Sequence, residues 1–572
     1  MISFFNTIQP VSKGLPVTPD PKEVLQHLRA VAQTAGAEPF RKIAAEKLMA
    51  LVNSADIIPE EYREYRTIVH DGLLFFLSHL SFERLIDIIA DQMTMTDPCC
   101  NTQRLLALAK KCPTLHKLGQ IIARNKHIDP DIRKWFVHLE NGNYGTDADT
   151  IRPHIEKQVQ PEKELFFIRL GAGILSEASV GTVFPFCWKD PETGKDQKGV
   201  FKILRPGVRT HLSEELRVIE DLAVFFQLHA NRYSLKDFKF AELFRDIREA
   251  LAEEIDLLGE QTHLWDAYQF YKDTDDVQIP ELAPFCNQAV TAMAFLDGEK
   301  VTEAQLPGAE RKTCAKLLFD SLILKPIFSR SESAIFHGDP HAGNILASYD
   351  EKSHRTRIAL VDWSLAGHLS KPQRIGILQL VQSVIKGNIF LICKSIMALS
   401  SVEGTLPEAM PTGLADKVTE VTGSSEYATF NLVKKAFWLV DQAARCGAVF
   451  HRDLLLFRKS LFTLEGILND LDPEYDIDDM MMKYLAKLII GEIPRRFGCL
   501  LFPGFDTPGN FRSLMSNNDL RNLFLYQVIE ALKTSLTFLN EMIRKHVPMT
   551  PKFNFSAFSI FPDFLDATPL PG

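Results

Sequence analysis

At 572 residues, with 46% hydrophobic and 24% charged side chains, the chain has the make-up of a globular protein, and disorder is excluded as its main theme. At roughly 100–200 residues per domain, that length corresponds to about three or four structural units. Its 64 Lys and Arg against 73 Asp and Glu leave a net charge of −9, which argues against non-specific nucleic-acid binding, because such binding relies on basic patches meeting phosphate.

The opening MISFFNTIQPVSKG lacks a basic stretch followed by an apolar run and a small-residue cleavage site, which predicts a chain that stays in the cytoplasm. Asp20 and Pro21 then form an N-cap and first-turn pair, followed by Val24, Leu25, Leu28, Val31 and Ala32 at helical spacing and by Gly36 as a stop. Similar periodicity through Glu60–Met93 and Thr102–Leu118 predicts a helical region over the first 120 or so residues, with no chemistry of its own. Near Phe166 the texture changes. Gly181–Trp188 and Gly199–Leu204 read as two strands joined by the polar turn Lys189–Lys198. Phe238–Phe270 reads as one long helix, and Ala289–Phe295 as a further short strand ending at Asp297-Gly298.

From Thr302 onward helices dominate, broken by a loop-rich stretch at Phe336–Ser370. Ile375–Leu399 is the most apolar long segment, but Gln379, Gln382, Lys386, Asn388 and Lys394 interrupt it, so it predicts core helices and not a membrane span. Leu523–Leu539 is likewise too polar to span, with Gln527, Glu530 and Lys533, so any membrane contact would be peripheral. The Pro- and Phe-rich tail after Val547 reads as an extended surface segment, and the 40 Phe against 11 Tyr as core packing.

The nine cysteines contain no CxxC pair and are adjacent only at Cys99 and Cys100, so neither a disulfide framework nor a zinc site is indicated. The strongest chemical signal is HGDPHAGN, His337–Asn344, followed by Asp362 in IALVDWS. An Asp and an Asn five apart in a loop, with a second Asp at the end of a downstream strand, suit phosphoryl transfer from ATP. Asp339 would accept or orient the nucleophile's proton, and Asn344 and Asp362 would hold Mg²⁺ through hard oxygen ligands. Asp-Pro and Ala-Gly-Asn are also ordinary turn sequences. His337 and His341 lie four apart, but Pro340 between them rules out a shared helix face, and they read as hydrogen-bonding residues and not as a metal pair.

A kinase-type site also needs a strand lysine, and Lys202 stands at the centre of the second predicted strand. Glu260 on the long helix is its candidate partner. Asp256 would share that face, with Glu254 about 200° from Asp256 if the helix is regular. A solvated acidic face is the competing reading of this cluster.

Six ordered segments resemble the UbiB/AarF/ADCK group of atypical protein kinases, over roughly residues 110–370. KLGQ at Lys117–Gln120 is similar to the family's KxGQ motif, and Glu254-Ile255-Asp256 to its ExD motif. Ser176–Val183 resembles the alanine-containing loop that replaces a Gly-rich loop. Phe201–Val208 is similar to the lysine strand, Ala294–Glu303 to the hinge region, and HGDPHAGN to the catalytic loop. The resemblance implies a helix-rich α+β, bilobal protein-kinase-like fold with N- and C-terminal helical extensions. It divides the chain into a helical region at 1–110, a KxGQ-type extension at 111–165, an N-lobe at 166–298, a C-lobe at 299–470 and a C-terminal extension with its tail at 471–572.

By the same implication ATP and Mg²⁺ are the cofactors. Ala178, Ser179, Val180, Gly181, Val183, Lys202, Met293 and Phe295 would line the nucleotide; Lys202, Glu260 and Asp339 would be catalytic; and Asn344 and Asp362 would bind metal. Lys117, Gln120, Glu254 and Asp256 would form a regulatory cover that holds down phosphorylation of protein substrates in trans. The implied activity is that of an atypical kinase or ATPase supporting isoprenoid-quinone (ubiquinone) or lipid metabolism, with a small or lipid-like substrate and no nucleic acid. Two departures stand out. Asp362-Trp363-Ser364 replaces Asp-Phe-Gly and is closer to the aminoglycoside and choline phosphotransferases, while Glu177 and Thr182 dilute the alanine-containing loop. A small-molecule phosphotransferase and a nucleotide-binding pseudokinase scaffold are therefore the alternatives, the latter opposed by the complete set of Lys202, Glu260, Asp339, Asn344 and Asp362.

Overall fold

The computed structural model describes residues 21–52, 66–95, 101–124, 148–177, 180–233, 240–400 and 411–525. The chain divides into two compact units. The first comprises Met1–Leu318, Ile335–Gly367 and Thr463–Asp472, and the second Phe319–Ala334, His368–Phe462 and Pro473–Gly572.

The first unit opens with α1 (Pro21–Ala35) and α2 (Ala37–Val52), joined through Gly36, whose φ of +81° is the left-handed conformation that a glycine adopts without a steric penalty. The predicted helical stretches each become two helices. The first gives α3 (Arg66–His79) and α4 (Phe82–Thr94), and the second gives α5 (Asn101–Lys111) and α6 (Pro113–Arg124), parted at Cys112. Pro113 accounts for that second break: it lacks the N–H needed to continue a helix but suits a first turn. Leu28, Phe40, Phe76, Leu85 and Ile89 from these helices share one apolar core with Leu212 and Phe226 of α8 (Val208–Leu228) and Leu251 of α9 (Phe240–Ile255).

Between α6 and α8 lie α7 (Ala148–Lys163), the short strands β1 (Arg169–Leu170) and β2 (Ser176–Glu177), and a long antiparallel hairpin of β3 (Gly181–Lys189) and β4 (Asp196–Leu204). With β6 (Val290–Ala294) they form a sheet in the order β1-β3-β4-β6, β2 pairing with β3. Alternation sends Phe184, Phe186, Phe201 and Ile203 into a second core against Ile151, Ile155 and Val159 of α7. The predicted single helix over Phe238–Phe270 is instead α9 followed by α10 (Leu257–Tyr271), with Asp256 between them accepting the Gly259 N–H at 3.0 Å as N-cap of α10. A short acceptor side chain at this point ends one helix and starts the next.

The stretch at 336–370, expected to be loop-rich, carries β8 (Ser333–His337), β9 (Ile345–Asp350), β10 (Arg355–Leu360) and β11 (Ala366–Ser370). Strands β9 and β10 pair with β5 (Val277–Gln278) and β7 (Glu299–Lys300) in a second sheet of order β5-β10-β9-β7. The turn residues that punctuate the segment conceal strands only five or six residues long.

In the second unit, α11 (Lys371–Lys386) begins with a complete capping box, Ser370 with Gln373, and ends at left-handed Gly387, after which Asn388 caps α12 (Ile389–Leu399). Ile377, Leu380, Ile392 and Ile396 are buried, as core helices require. Further along lie α13 (Leu414–Thr422), α14 (Leu432–Arg445) and α15 (Ile477–Leu501). No helix among the described residues is long and apolar enough to cross a membrane. The tail after Val547, and Leu523–Leu539 beyond Leu525, lie outside the described residues.

Candidate functional site

Phe201 and Ile203 face the core, so Lys202 between them must face the other side of β4, directly across from Val183 of β3 and Thr291 of β6. There its ammonium meets Glu260 Oε1 at 2.6 Å and Asp362 Oδ1 at 2.9 Å. Glu260 lies in the first turn of α10, which is fastened to the sheet by Gln261: its side-chain amide donates to Asn287 O and Thr291 Oγ1 at 2.9 and 3.1 Å. One cation therefore faces two carboxylates. Burial works against the Lys202 charge, but Asp362 and Glu260 outweigh it and hold the lysine protonated beyond its usual range. Burial pushes Glu260 up to about 7 against the pull of Lys202. Asp362 is held well below the usual carboxylate range: Lys202 and the Ser364 hydroxyl and amide overcome the cost of its burial.

Asp362 follows β10 with φ +59°, a left-handed conformation that turns the chain sharply at the strand end. Its Oδ1 accepts Ser364 Oγ at 2.7 Å, and its side chain keeps 34% exposure. Buried Trp363 donates from Nε1 to Leu360 O and packs against His337 and Tyr271, with ring centroids 4.8 and 6.2 Å apart. Its carbonyl accepts from His263 Nδ1 at 3.1 Å. The sequence reading missed His263. It stands three residues after Glu260 and so shares that helix face, which was the available signal.

The HGDPHAGN segment is organised by its first histidine. His337 is buried; its Nδ1 accepts the Asp339 N–H at 3.1 Å and its Nε2 donates to Val361 O at 3.1 Å, the pattern of a neutral Nε2–H imidazole, and burial lowers its pKa in agreement. Val361 N–H in turn donates to Asn344 O at 3.0 Å, and Asn344 Nδ2 donates to Asp339 O at 3.2 Å. Asp339, Asn344 and Asp362 are thereby tied through one backbone network. His341 accepts the Gly343 N–H at 3.0 Å and lies 4.0 Å from Asp339. Among the described residues no three His, Cys, Asp or Glu side chains are gathered as a metal cluster. The oxygens of Asn344 and Asp362, beside a Lys202 group with one carboxylate in excess, fit a hard divalent cation that brings phosphate ligands of its own.

Lys117, midway along α6, forms an ion pair with Glu254 in the last turn of α9. Gln120 lies in α6 one turn further on, its side chain outside the described set. Asp256 does not project from the same regular helix face as Glu260, as the sequence suggested: the chain breaks there and Asp256 is exposed, capping α10. Ala178 and Ser179 lie outside the described residues. Val180 O accepts the Arg205 N–H at 2.9 Å, Gly181 pairs with Leu204, Met293 with Val200, and the half-exposed Phe295 follows β6 and donates its N–H to Lys198 O at 3.1 Å.

A family model described as "ABC1 atypical kinase-like domain" matches residues 140–396. A "Probable protein kinase UbiB" of Xylella fastidiosa (strain 9a5c) is 23% identical over 461 residues, covering 76% of this chain and 78% of that protein. Its namesake in Xanthomonas campestris pv. campestris (strain B100) is 22% identical over 427 residues, covering 70% and 74%. Among solved structures, the complex of Rv3197 with erythromycin from Mycobacterium tuberculosis aligns at 15% identity with a TM-score of 0.39, over 65% of this chain and 91% of that one. The fold is a helix-rich α+β kinase-like one, and the family model and these relatives support the UbiB/ADCK family of atypical kinase-like proteins. Neither the family model nor these relatives favours the small-molecule phosphotransferase reading.

Proposed function

We propose that this chain is an ATP-dependent atypical kinase or ATPase of UbiB type, acting on a small or lipid-like substrate in isoprenoid-quinone or lipid metabolism. The observation that carries the reading is Lys202 held between Glu260 and Asp362, which leaves a charge group short of one cation beside the Asp339–Asn344 loop. In this reading Lys202 meets the nucleotide phosphates and Glu260 fixes its position. Asp339 accepts or orients the proton of the attacking hydroxyl or water, and Asn344 and Asp362 hold Mg²⁺. Bound Mg²⁺ would neutralise phosphate charge in the cleft. Val180, Gly181 and Val183, with Ala178 and Ser179, would cover the nucleotide, and Met293 and Phe295 would border its base. The Lys117–Glu254 pair would hold the α6 extension, with Gln120, as a cover that disfavours bulky protein substrates.

Asp362→Asn tests this assignment. The substitution keeps the size of the side chain and removes the charge, so stabilisation of the protein by Mg²⁺-ATP in a thermal-shift titration should be largely lost. The same shift in wild type and variant would remove the metal role from Asp362.

A further inference from the structure

Three donors converge on one oxygen of Asp362. Lys202 Nζ, Ser364 Oγ and the Ser364 N–H reach Oδ1 at 2.9, 2.7 and 3.3 Å. Their convergence fixes the rotation of the carboxylate, and with it the place of its second oxygen. Two of the three belong to Ser364, so the aim of the carboxylate depends on how the chain turns after it. The backbone does not favour that turn by itself, because φ of +59° at Asp362 is sterically disfavoured for a residue with a Cβ.

The Ser364 N–H and the Trp363 carbonyl belong to one peptide group, which is planar and rigid. One edge of that plane faces Asp362 Oδ1, and the opposite edge accepts from His263 Nδ1 at 3.1 Å. Rotation of the plane would carry both groups off their partners together, so a bond to the carbonyl holds the amide in place. The Trp363 indole, buried and donating to Leu360 O, anchors the side chain but does not set the rotation of the peptide that follows. His263 can set it because α10 is itself fastened: Gln261 donates to Asn287 O and Thr291 Oγ1, and Glu260 accepts from Lys202. Helix α10 therefore reaches Asp362 by two routes, Glu260 through Lys202 and His263 through the Trp363–Ser364 peptide. We infer that His263 is a positioning residue for Asp362, orienting through one peptide plane the carboxylate that takes the metal; this rests on the metal role proposed above for Asp362.

The test measures Mn²⁺, a spectroscopic stand-in for Mg²⁺, binding to the full chain with ADP present, by electron paramagnetic resonance. His263→Leu should weaken Mn²⁺ binding about tenfold or more, the usual cost of losing a group that orients a metal ligand. The amide nitrogen of Asn stands where Nδ1 stands in His, and that of Gln where Nε2 does. His263→Asn should therefore restore the affinity and His263→Gln should not. In the metal-free protein, hydrogen exchange at the Ser364 amide should be about fivefold faster in His263→Leu, as the loss of one ordinary hydrogen bond implies. A histidine that only packs would lower the melting temperature of the variants and leave Mn²⁺ affinity and Ser364 exchange at wild-type values, which would overturn the assignment. Rescue by Gln instead of Asn overturns it too. Asp362→Asn, measured alongside, separates the two roles. Mn²⁺ binding lost there but kept in His263→Leu removes only the role of His263, whereas binding kept in Asp362→Asn removes the metal role on which it rests.

Discussion

The first unit contains two buried groups with the same charge count, one cation facing two carboxylates, and they are used differently. In the helical region Arg84 of α4 meets Glu215 at 2.6 Å and Glu214 at 3.7 Å. Both acids also serve helix starts: Glu215 accepts the Thr114 N–H in the first turn of α6, and Glu214 accepts the Ser81 N–H at the N-cap of α4. Every carboxylate there is spent on the backbone. At Lys202, by contrast, Glu260 bonds the lysine side chain, and Asp362, though it accepts the Ser364 N–H, keeps a third of its side chain exposed. Charge count alone therefore does not separate a structural cluster from a candidate site. What separates them is whether the acceptors are already satisfied by the fold.

The sharpest way to break this contrast is Arg84→Met. It leaves buried Glu215 without its cation and should cost about 3–5 kcal/mol of stability, read as a lowered urea midpoint, with nucleotide binding by the remaining folded protein unchanged. A parallel loss of nucleotide affinity would show that the helical cluster belongs to the site. Asp339→Asn should do the opposite. Affinity for Mg²⁺-ATP and stability hold, while turnover falls about 10²-fold or more, the usual consequence of losing a positioned base. Equal loss of binding and turnover in steady-state and titration measurements would reduce the loop to a structural turn.

Lys117→Ala removes an ion pair between partly buried side chains and should cost about 1 kcal/mol or less. Its signature is functional: altered nucleotide selectivity or raised autophosphorylation, measured with labelled ATP. Wild-type behaviour in both would detach α6 from regulation. The smallest effect is in pH. Glu260 is pushed from 4.5 up to about 7, so the folded protein holds its proton more firmly than the unfolded chain. Its contribution to stability is full below pH 4.5 and is lost as pH rises through about 7. Turnover that needs the ionised Lys202–Glu260 pair should show the converse, falling as pH drops below about 7. Glu260→Gln should abolish both slopes in pH-dependent melts and rates; retention of the inflection would assign it to another group.

Much of the candidate site's geometry was legible because its residues are fixed by spacing. Lys202 in an alternating strand and Glu260 one turn into a helix meet where the periodicities put them, and Asp339, Asn344 and Asp362 are joined by a short strand pair. What was not legible depended on single backbone decisions. Asp256 looks like one more acid on a continuous helix until it is seen to cap α10. Likewise, β8 to β11 are too short, and too rich in turn residues between them, to stand out against a loop. His263 was hidden for a different reason: its partner is a carbonyl a hundred residues away, and backbone acceptors leave no trace in side-chain patterns. Nor does burial follow residue type in α15, where Glu492 and Arg496 go in and Phe497 stays out.

That reversal bears on how the protein is handled. Anyone improving its yield or solubility would first replace exposed Ile490, Phe497 and Leu501 with polar residues, since such changes rarely harm a water-soluble fold. Those replacements would erase the exposed apolar stripe itself, so whatever the stripe does has to be measured on the unaltered chain.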